Sequence, residues 1–134
     1  MKETKESLDP KAWWNLAMQD LRLAQAGMRD DAPGTAAAIC HCCQQACEKM
    51  LKSYLLSLGW KLVKTHDLRS LASEAKKSLP DITPLQSSLS DLEADYVQSR
   101  YPFTFEKGIE ESDAKRAVET AERLRSLLEA IVLR

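Results

Sequence analysis

The stretch CHCCQQACEK, residues 40–49, holds all four cysteines of the chain and one of its two histidines, residue types that can bind metals or exchange electrons. If this stretch is helical, Cys40, Cys43 and Cys47 share one face at i, i+3 and i+7, and the remaining cysteine turns away. At about 1.5 Å per residue, Cys40 and Cys47 lie roughly 10 Å apart along the axis, too far to share a metal whose bonds to sulfur are about 2.3 Å. A helix interior also lacks the N-terminus that activates thiolates. The spacing favours buried apolar cysteines, with no metal and no cofactor.

A second row of polar residues lies on the other side of the same helix. It consists of His41, Gln45, Glu48 and Lys52, at i, i+4, i+7 and i+11, and we call it the polar ridge. Glu48 and Lys52 have the spacing of an intrahelical ion pair. One interpretation is a solvated helix face, and the other is a surface that meets a partner.

Two charged residues interrupt the apolar faces of other predicted helices. Asp20 falls in the middle of an apolar stripe near the N-terminus, and Arg100 lies one turn beyond another stripe. Because an unpaired buried carboxylate costs several kcal/mol, we expect Asp20 and Arg100 to face each other or a shared polar pocket. This arrangement fits either a structural ion pair or a site for an anion or a base, in which Arg100 and Tyr101 suit phosphate and planar rings.

The elements that carry these residues are predicted to be helices. Apolar residues recur at helical spacing, and proline and glycine fall between the periodic segments. We therefore predict an all-α fold, an up-and-down bundle of about five helices, in a single domain over residues 1–134. The first helix is expected to run from Pro10 to Met28, and the second to end at Leu58, before Gly59.

Start and stop signals define the remaining three helices. Thr65 is the expected cap of the third helix, and Thr83 with Pro84 marks the start of the fourth. The fourth should end near Arg100, because a proline at position 102 disfavours helix at the residue before it. Ser112 is the expected cap of the last helix.

Composition narrows the class of protein. The formal net charge of −1 argues against a strong non-specific grip on nucleic acid. No apolar run approaches the roughly 20 residues that span a bilayer, and residues 1–14 lack the apolar stretch of a signal peptide. We therefore expect a cytoplasmic protein with no membrane segment and with reduced cysteines.

Several segments in succession resemble a bacterial or archaeal HEPN domain. The specific ones are the run Gln44, Gln45, Glu48, Lys49 and Lys52, the segment Thr65-His66-Asp67-Leu68 and the turn Arg100-Tyr101-Pro102, with weaker support from Asp20-Leu21. The resemblance implies a helical bundle that commonly forms a homodimer. It also implies a partner, because such domains are often encoded beside a minimal nucleotidyltransferase in a toxin–antitoxin-like pair. Members of the wider superfamily cleave RNA or bind nucleotides and RNA.

The ribonuclease branch of that family pairs an arginine with a histidine after four to six intervening residues, so that the imidazole can move a proton. Here residues 105–107 are Phe-Glu-Lys, and no histidine follows Arg100. The resemblance therefore favours a non-catalytic module with no catalytic residue. Its candidate nucleotide-binding residues are Asp20, Lys52, Arg100 and Tyr101, and its candidate partner-facing residues are His41, Gln45 and Glu48. The alternative is a ribonuclease toxin in which His41 or His66 replaces the missing histidine.

Overall fold

The computed structural model describes residues 7–30, 33–61, 65–100 and 108–134. Over these ranges the chain forms five α-helices and one short 3-10 helix between the third and fourth of them. The bounds are α1 Pro10–Asp30, α2 Ala36–Ser57, α3 Leu68–Ser78, the 3-10 helix Pro80–Leu85, α4 Gln86–Ser99 and α5 Glu111–Val132. The predicted all-α bundle of five helices is confirmed. None of the described helices is long and apolar enough to cross a membrane.

α2 is the central helix of the bundle, because α1, α3, α4 and α5 all pack against it. Cys40, Cys43 and Cys47 are fully buried on it, which confirms their predicted inward position. Glu48 and Lys52 are also buried, with 4% and 5% of their surface exposed. The interpretation of the polar ridge as a solvated face is therefore wrong for these two residues, because neighbouring helices cover that side of α2 as well.

The start of α1 and the ends of α2 and α4 follow the proline and glycine signals. Asp9 caps α1, where its Oδ1 accepts a hydrogen bond from the Lys11 backbone N–H at 3.0 Å. α1 continues to Asp30, slightly beyond the expected end at Met28. Gly59 has a φ of +88°, a left-handed conformation that a glycine adopts without strain, just after α2 ends. Arg100 is the residue that follows α4, as the proline at position 102 predicted.

The start of α3 corrects one sequence prediction. Asp67 is the cap, because its Oδ1 accepts the backbone N–H of Arg69 at 2.8 Å. Thr65 instead accepts a hydrogen bond from the Asp67 N–H through its Oγ1, at 3.3 Å. An aspartate and a threonine two residues apart give the same capping signal in a sequence, and the backbone turn decides between them.

The starts of α4 and α5 also differ from expectation. Thr83 and Pro84 lie inside the 3-10 helix, so α4 itself begins only at Gln86. Glu110 precedes α5 and forms a reciprocal capping box with Asp113, which takes the place of the predicted Ser112 cap. A glutamate is an uncommon cap, so this start was not visible in the sequence.

We expect Asp67→Ala to lower the free energy of unfolding by about 1 kcal/mol at pH 7, the usual cost of losing a side-chain cap. The hydrogen bonds and charge of Arg69 hold the pKa of Asp67 below its usual range. Stabilisation by the charge is therefore complete above the unfolded pKa of about 3.9 and is lost as the pH falls through the lower folded value. Urea denaturation of both proteins at pH 7 and pH 2.5 tests this. A difference in unfolding free energy between the two proteins that is larger at pH 2.5 than at pH 7 would contradict this prediction.

Candidate functional site

Buried polar side chains meet on one side of α2. Lys52 Nζ lies 3.1 Å from Glu48 Oε2, and both side chains are almost fully buried. The Lys52 ammonium also lies 5.6 Å from the centre of the Trp13 ring, a cation–π contact with α1. His66 adds its Nδ1 at 3.1 Å from the same Glu48 oxygen, while 71% of the His66 side chain is exposed. The Glu48 carboxylate thus connects a buried cation to an imidazole at the surface.

A second set of hydrogen bonds joins this side of α2 to α4 and to the start of α3. Glu93 Oε1 accepts from the backbone N–H of Leu68 at 2.9 Å and from Gln44 Nε2 at 3.2 Å. Gln44 Nε2 also donates to the backbone oxygen of His66 at 3.1 Å. We call Gln44, Glu48, Lys52, His66 and Glu93 the polar centre. Because its members come from α2, α4 and the segment before α3, it fixes how these three parts meet.

An open cleft of about 380 Å³ borders the polar centre. It is lined by Gln45, Glu48, His66, Asp67, Glu93, Tyr96, Val97 and Arg100. The Arg100 guanidinium lies 5.5 Å from the centre of the Tyr96 ring. The ring of His41 lies 5.4 Å from the same tyrosine ring, tilted by 36°. Tyr96 and Arg100 line the cleft, and His41 contacts Tyr96 beside it. We call His41, Tyr96 and Arg100 the stacking array.

One oxygen of the central carboxylate is unusual. Among the described residues, Glu48 Oε1 is buried and has no hydrogen-bond partner. A buried acceptor without a partner costs about 1–3 kcal/mol, and native proteins contain few of them. This makes Glu48 a costly residue at the edge of the cleft.

The family of the chain follows from comparison of this sequence with family models. The model of the HEPN domain matches residues 10–131, which include every residue of the polar centre and of the cleft. The chain belongs to the HEPN family. The resemblance seen in the sequence is thereby confirmed.

Two solved structures share the fold of this HEPN chain. TT1696 from Thermus thermophilus is 24% identical, with a TM-score of 0.78 over 90% of this chain and 96% of that one. ST0689, an archaeal HEPN homologue, is 22% identical, with a TM-score of 0.70 over 92% of this chain and 98% of that one. No curated protein matches the sequence.

The candidate nucleotide-binding residues of the HEPN chain do not all come together. Arg100 lines the cleft, and Lys52 lies behind it in the polar centre. The expected pairing of Asp20 with Arg100 does not form, because the Asp20 carboxylate is bonded to Lys49 Nζ at 2.6 Å. That ion pair is about a quarter exposed, so Asp20 lies at the edge of the α1–α2 contact and not inside it. Tyr101 lies outside the described residues.

The candidate partner-facing residues divide between surface and interior. His41 is exposed and contacts Tyr96, whereas Gln45 is half-buried and donates from Nε2 to Gln44 Oε1 at 2.8 Å. Glu48 is buried in the polar centre. Of the polar ridge, only the end that carries His41 and Gln45 is available to a partner.

Sequence reasoning missed the cleft residues Glu93 and Tyr96 and gave Gln44 no structural role. Glu93 interrupts the apolar stripe that includes Leu89, Leu92 and Tyr96, which is the signal that drew attention to Asp20. A search for every charged residue within an apolar stripe would have found it.

Three of the four cysteines of the HEPN chain are buried thiols. Burial raises the pKa of Cys40 to about 12 and raises the pKa of Cys43 and of Cys47 as well. A protonated buried thiol is a poor nucleophile and a poor metal ligand. No group of three or more His, Cys, Asp or Glu side chains in the described parts of the chain is placed to hold a metal ion.

Thiol titration should separate the four cysteines. Cys42 is the only one of them that is not fully buried, and we expect it to react with an aromatic disulfide reagent in the native protein well before the others. The other three should react only as fast as the fold opens. Cys42→Ser should remove the fast phase and leave the slow phase unchanged. Rapid reaction of more than one thiol in the native wild type would contradict the buried positions.

Proposed function

We propose that this HEPN chain is a non-catalytic, homodimeric module that pairs with a minimal nucleotidyltransferase and holds a nucleotide or an RNA segment in its cleft. The observation that carries the binding proposal is the stacking array beside the cleft, in which Arg100 lies over the Tyr96 ring. A guanidinium bonds phosphate oxygens in a fixed planar geometry, and both a guanidinium and an aromatic ring stack on bases.

The residues around the array have supporting roles in this proposal. Arg100 meets phosphate, and Tyr96 supplies the ring that the sequence assigned to Tyr101. Lys52 is almost fully buried and bonded to Glu48, so it positions that carboxylate from behind the cleft. Asp20 is bonded to Lys49 at the α1–α2 contact, where it serves the bundle and not the ligand.

The partner part of the proposal rests on membership of the HEPN family, because the resemblance of the sequence to that family implies a minimal nucleotidyltransferase as partner. The toxin–antitoxin-like pairing and the homodimer are proposed on the same ground. The exposed end of the polar ridge, at His41, offers a polar helix face for such a contact.

Two measurements test this proposal together. The purified protein should co-elute in size-exclusion chromatography with the product of a neighbouring nucleotidyltransferase gene, and its melting temperature should rise when nucleotides or short RNA are added. Arg100→Gln should abolish the thermal shift, whereas Arg125→Gln, on the exposed face of α5, should leave it intact. No co-elution together with no thermal shift would refute the proposal.

One observation favours a second function, a ribonuclease toxin with an atypical histidine. Glu48 Oε2 lies 3.1 Å from His66 Nδ1, and most of the imidazole is exposed beside the cleft that contains Arg100. A carboxylate at Nδ1 orients an imidazole so that Nε2 can accept a proton. Expression of the wild type should then arrest growth, and His66→Ala or Arg100→Ala should relieve the arrest. Harmless expression of the wild type would exclude this function.

A further inference from the structure

The charges around the cleft limit what it can hold. Asp67 accepts two hydrogen bonds from the Arg69 guanidinium, at 3.2 and 3.1 Å. Glu48 is paired with Lys52 at 3.1 Å, so each of these two carboxylates has a cation of its own within the fold. The described hydrogen bonds of Glu93, in contrast, come from the uncharged groups of Gln44 and Leu68.

Against this background the cleft offers little positive charge. Arg100 is the one lysine or arginine among its described lining residues. With His66 counted as neutral, the guanidinium balances the carboxylate of Glu93, and the described lining of the cleft, together with Lys52 and Arg69, has almost no net charge. Among the described lining residues, Arg100 supplies a cation for one phosphate, and further phosphates would approach the carboxylates of Glu93 and Glu48.

Sites for nucleoside triphosphates are built differently. P-loop sites, for example, surround the phosphate chain with successive backbone N–H groups of a glycine-rich loop, a lysine and a magnesium ion. The described lining of this cleft contains no glycine and no lysine. The Tyr96 ring and the Arg100 guanidinium beside it, in contrast, are suited to a base. Both are planar groups on which a base can stack.

We propose that the cleft takes one nucleotide unit, with a base at the stacking array and a single phosphate at Arg100, and that it does not select nucleoside triphosphates. A free mononucleotide and an internal unit of single-stranded RNA share this chemistry. The inference rests on the proposed nucleotide binding and specifies its ligand class.

Competition binding tests the number of phosphates. A fluorescently labelled single-stranded RNA hexamer is the probe, and AMP, ADP and ATP, then GMP and GTP, each with and without magnesium, are the competitors. We expect the dissociation constants within each series to agree to within about threefold, since one guanidinium contacts one phosphate. A triphosphate that binds more than about tenfold tighter than its monophosphate would overturn the inference, although it would support the proposed nucleotide binding.

Salt dependence provides an independent count of the phosphate contacts. For single strands, the logarithm of the binding constant falls against the logarithm of the salt concentration with a slope of about −0.7 per neutralised phosphate. We expect a slope near that value for the hexamer, and a slope near zero for Arg100→Gln. A slope of about −2 or steeper would overturn the inference, because it requires several phosphate contacts.

Variants of the array test the base contact and the source of the ligand. Tyr96→Leu should weaken binding about tenfold, because stacking on an aromatic ring is lost, whereas Tyr96→Phe should bind as the wild type does. Arg125→Gln on α5 is the matched control for the loss of a positive charge.

The same competition assay identifies the source of the ligand. If mononucleotides compete as well as the unlabelled hexamer does, the ligand is a free nucleotide, and if the hexamer binds clearly more tightly, the ligand is RNA. Binding that is unchanged in Tyr96→Leu, or absent from the wild type for every ligand, would overturn the inference, and the second result would also refute the proposed function.

Discussion

Lys52→Met should lower the free energy of unfolding by about 3–5 kcal/mol, because it leaves the Glu48 carboxylate buried without its cation. The two groups lie 3.1 Å apart, with side chains only 5% and 6% exposed, so water cannot replace the lost partner. Methionine keeps most of the volume of lysine, and therefore the effect is one of charge and not of packing. Urea denaturation of the wild type and the variant at pH 7 measures the difference.

Two further variants separate a buried pair from an exposed one. Lys77 forms a comparable ion pair with Glu74, but 73% of its side chain is exposed. Lys77→Met should therefore cost less than about 1 kcal/mol. The double variant Glu48→Leu with Lys52→Met should recover most of the stability lost in the single variant, because it buries no charge. Equal losses for Lys52→Met and Lys77→Met would contradict the assigned role of the buried pair.

The double variant also bears on function. An apolar pair of similar volume is often as stable as a buried ion pair, or more so. The Glu48–Lys52 pair is thus a poor device for stability alone, particularly with Glu48 Oε1 unpartnered among the described residues. The pair lies behind His66, at the edge of the cleft, and in the proposed function it would orient the groups that meet a ligand.

The helices were predictable, and so were those of their ends that proline or glycine sets. Asp9 with Pro10 starts α1, and Gly59 supplies the left-handed residue after α2. The inward position of the cysteines followed from helical spacing alone. The position of Arg100 at the end of α4 followed from the proline two residues later.

The partners of the charged residues were not predictable, because a helical wheel gives the direction of a side chain and not the identity of the helix that it meets. Asp20 was expected to meet Arg100, and it meets Lys49 of the adjacent helix α2. α2 was interpreted as amphipathic, yet four helices cover it, so that Glu48 and Lys52 are enclosed. Only the packing of α3 and α4 reveals that its polar residues form part of an internal network.

Glu93→Ala should lower the free energy of unfolding by about 2–4 kcal/mol, because it removes the acceptor that joins α4 to α2 and to the start of α3. Glu93 is only 5% exposed, and its Oε1 accepts from the Leu68 N–H and from Gln44 Nε2. The Leu68 N–H would be left buried without its partner, and a cavity would form in place of the carboxylate. Chemical denaturation gives the global loss. Hydrogen exchange should show a larger local loss of protection at the Leu68 amide than at the amides of α5.

The conservative variant decides whether the acceptor or the charge matters. Glu93→Gln keeps an oxygen in the same place and the same volume, so it should cost less than half as much as Glu93→Ala. By removing the one lining carboxylate that forms no ion pair among the described residues, it should also strengthen nucleotide binding about threefold to tenfold in the hexamer assay. If Glu93→Ala and Glu93→Gln are equally destabilising, the charge of Glu93 and not its acceptor oxygen stabilises the fold. If Glu93→Gln binds the hexamer more weakly than the wild type does, the proposed repulsion between Glu93 and phosphate is contradicted. The variant thus links the stability of the polar centre to the charge limit of the site, because one carboxylate serves both.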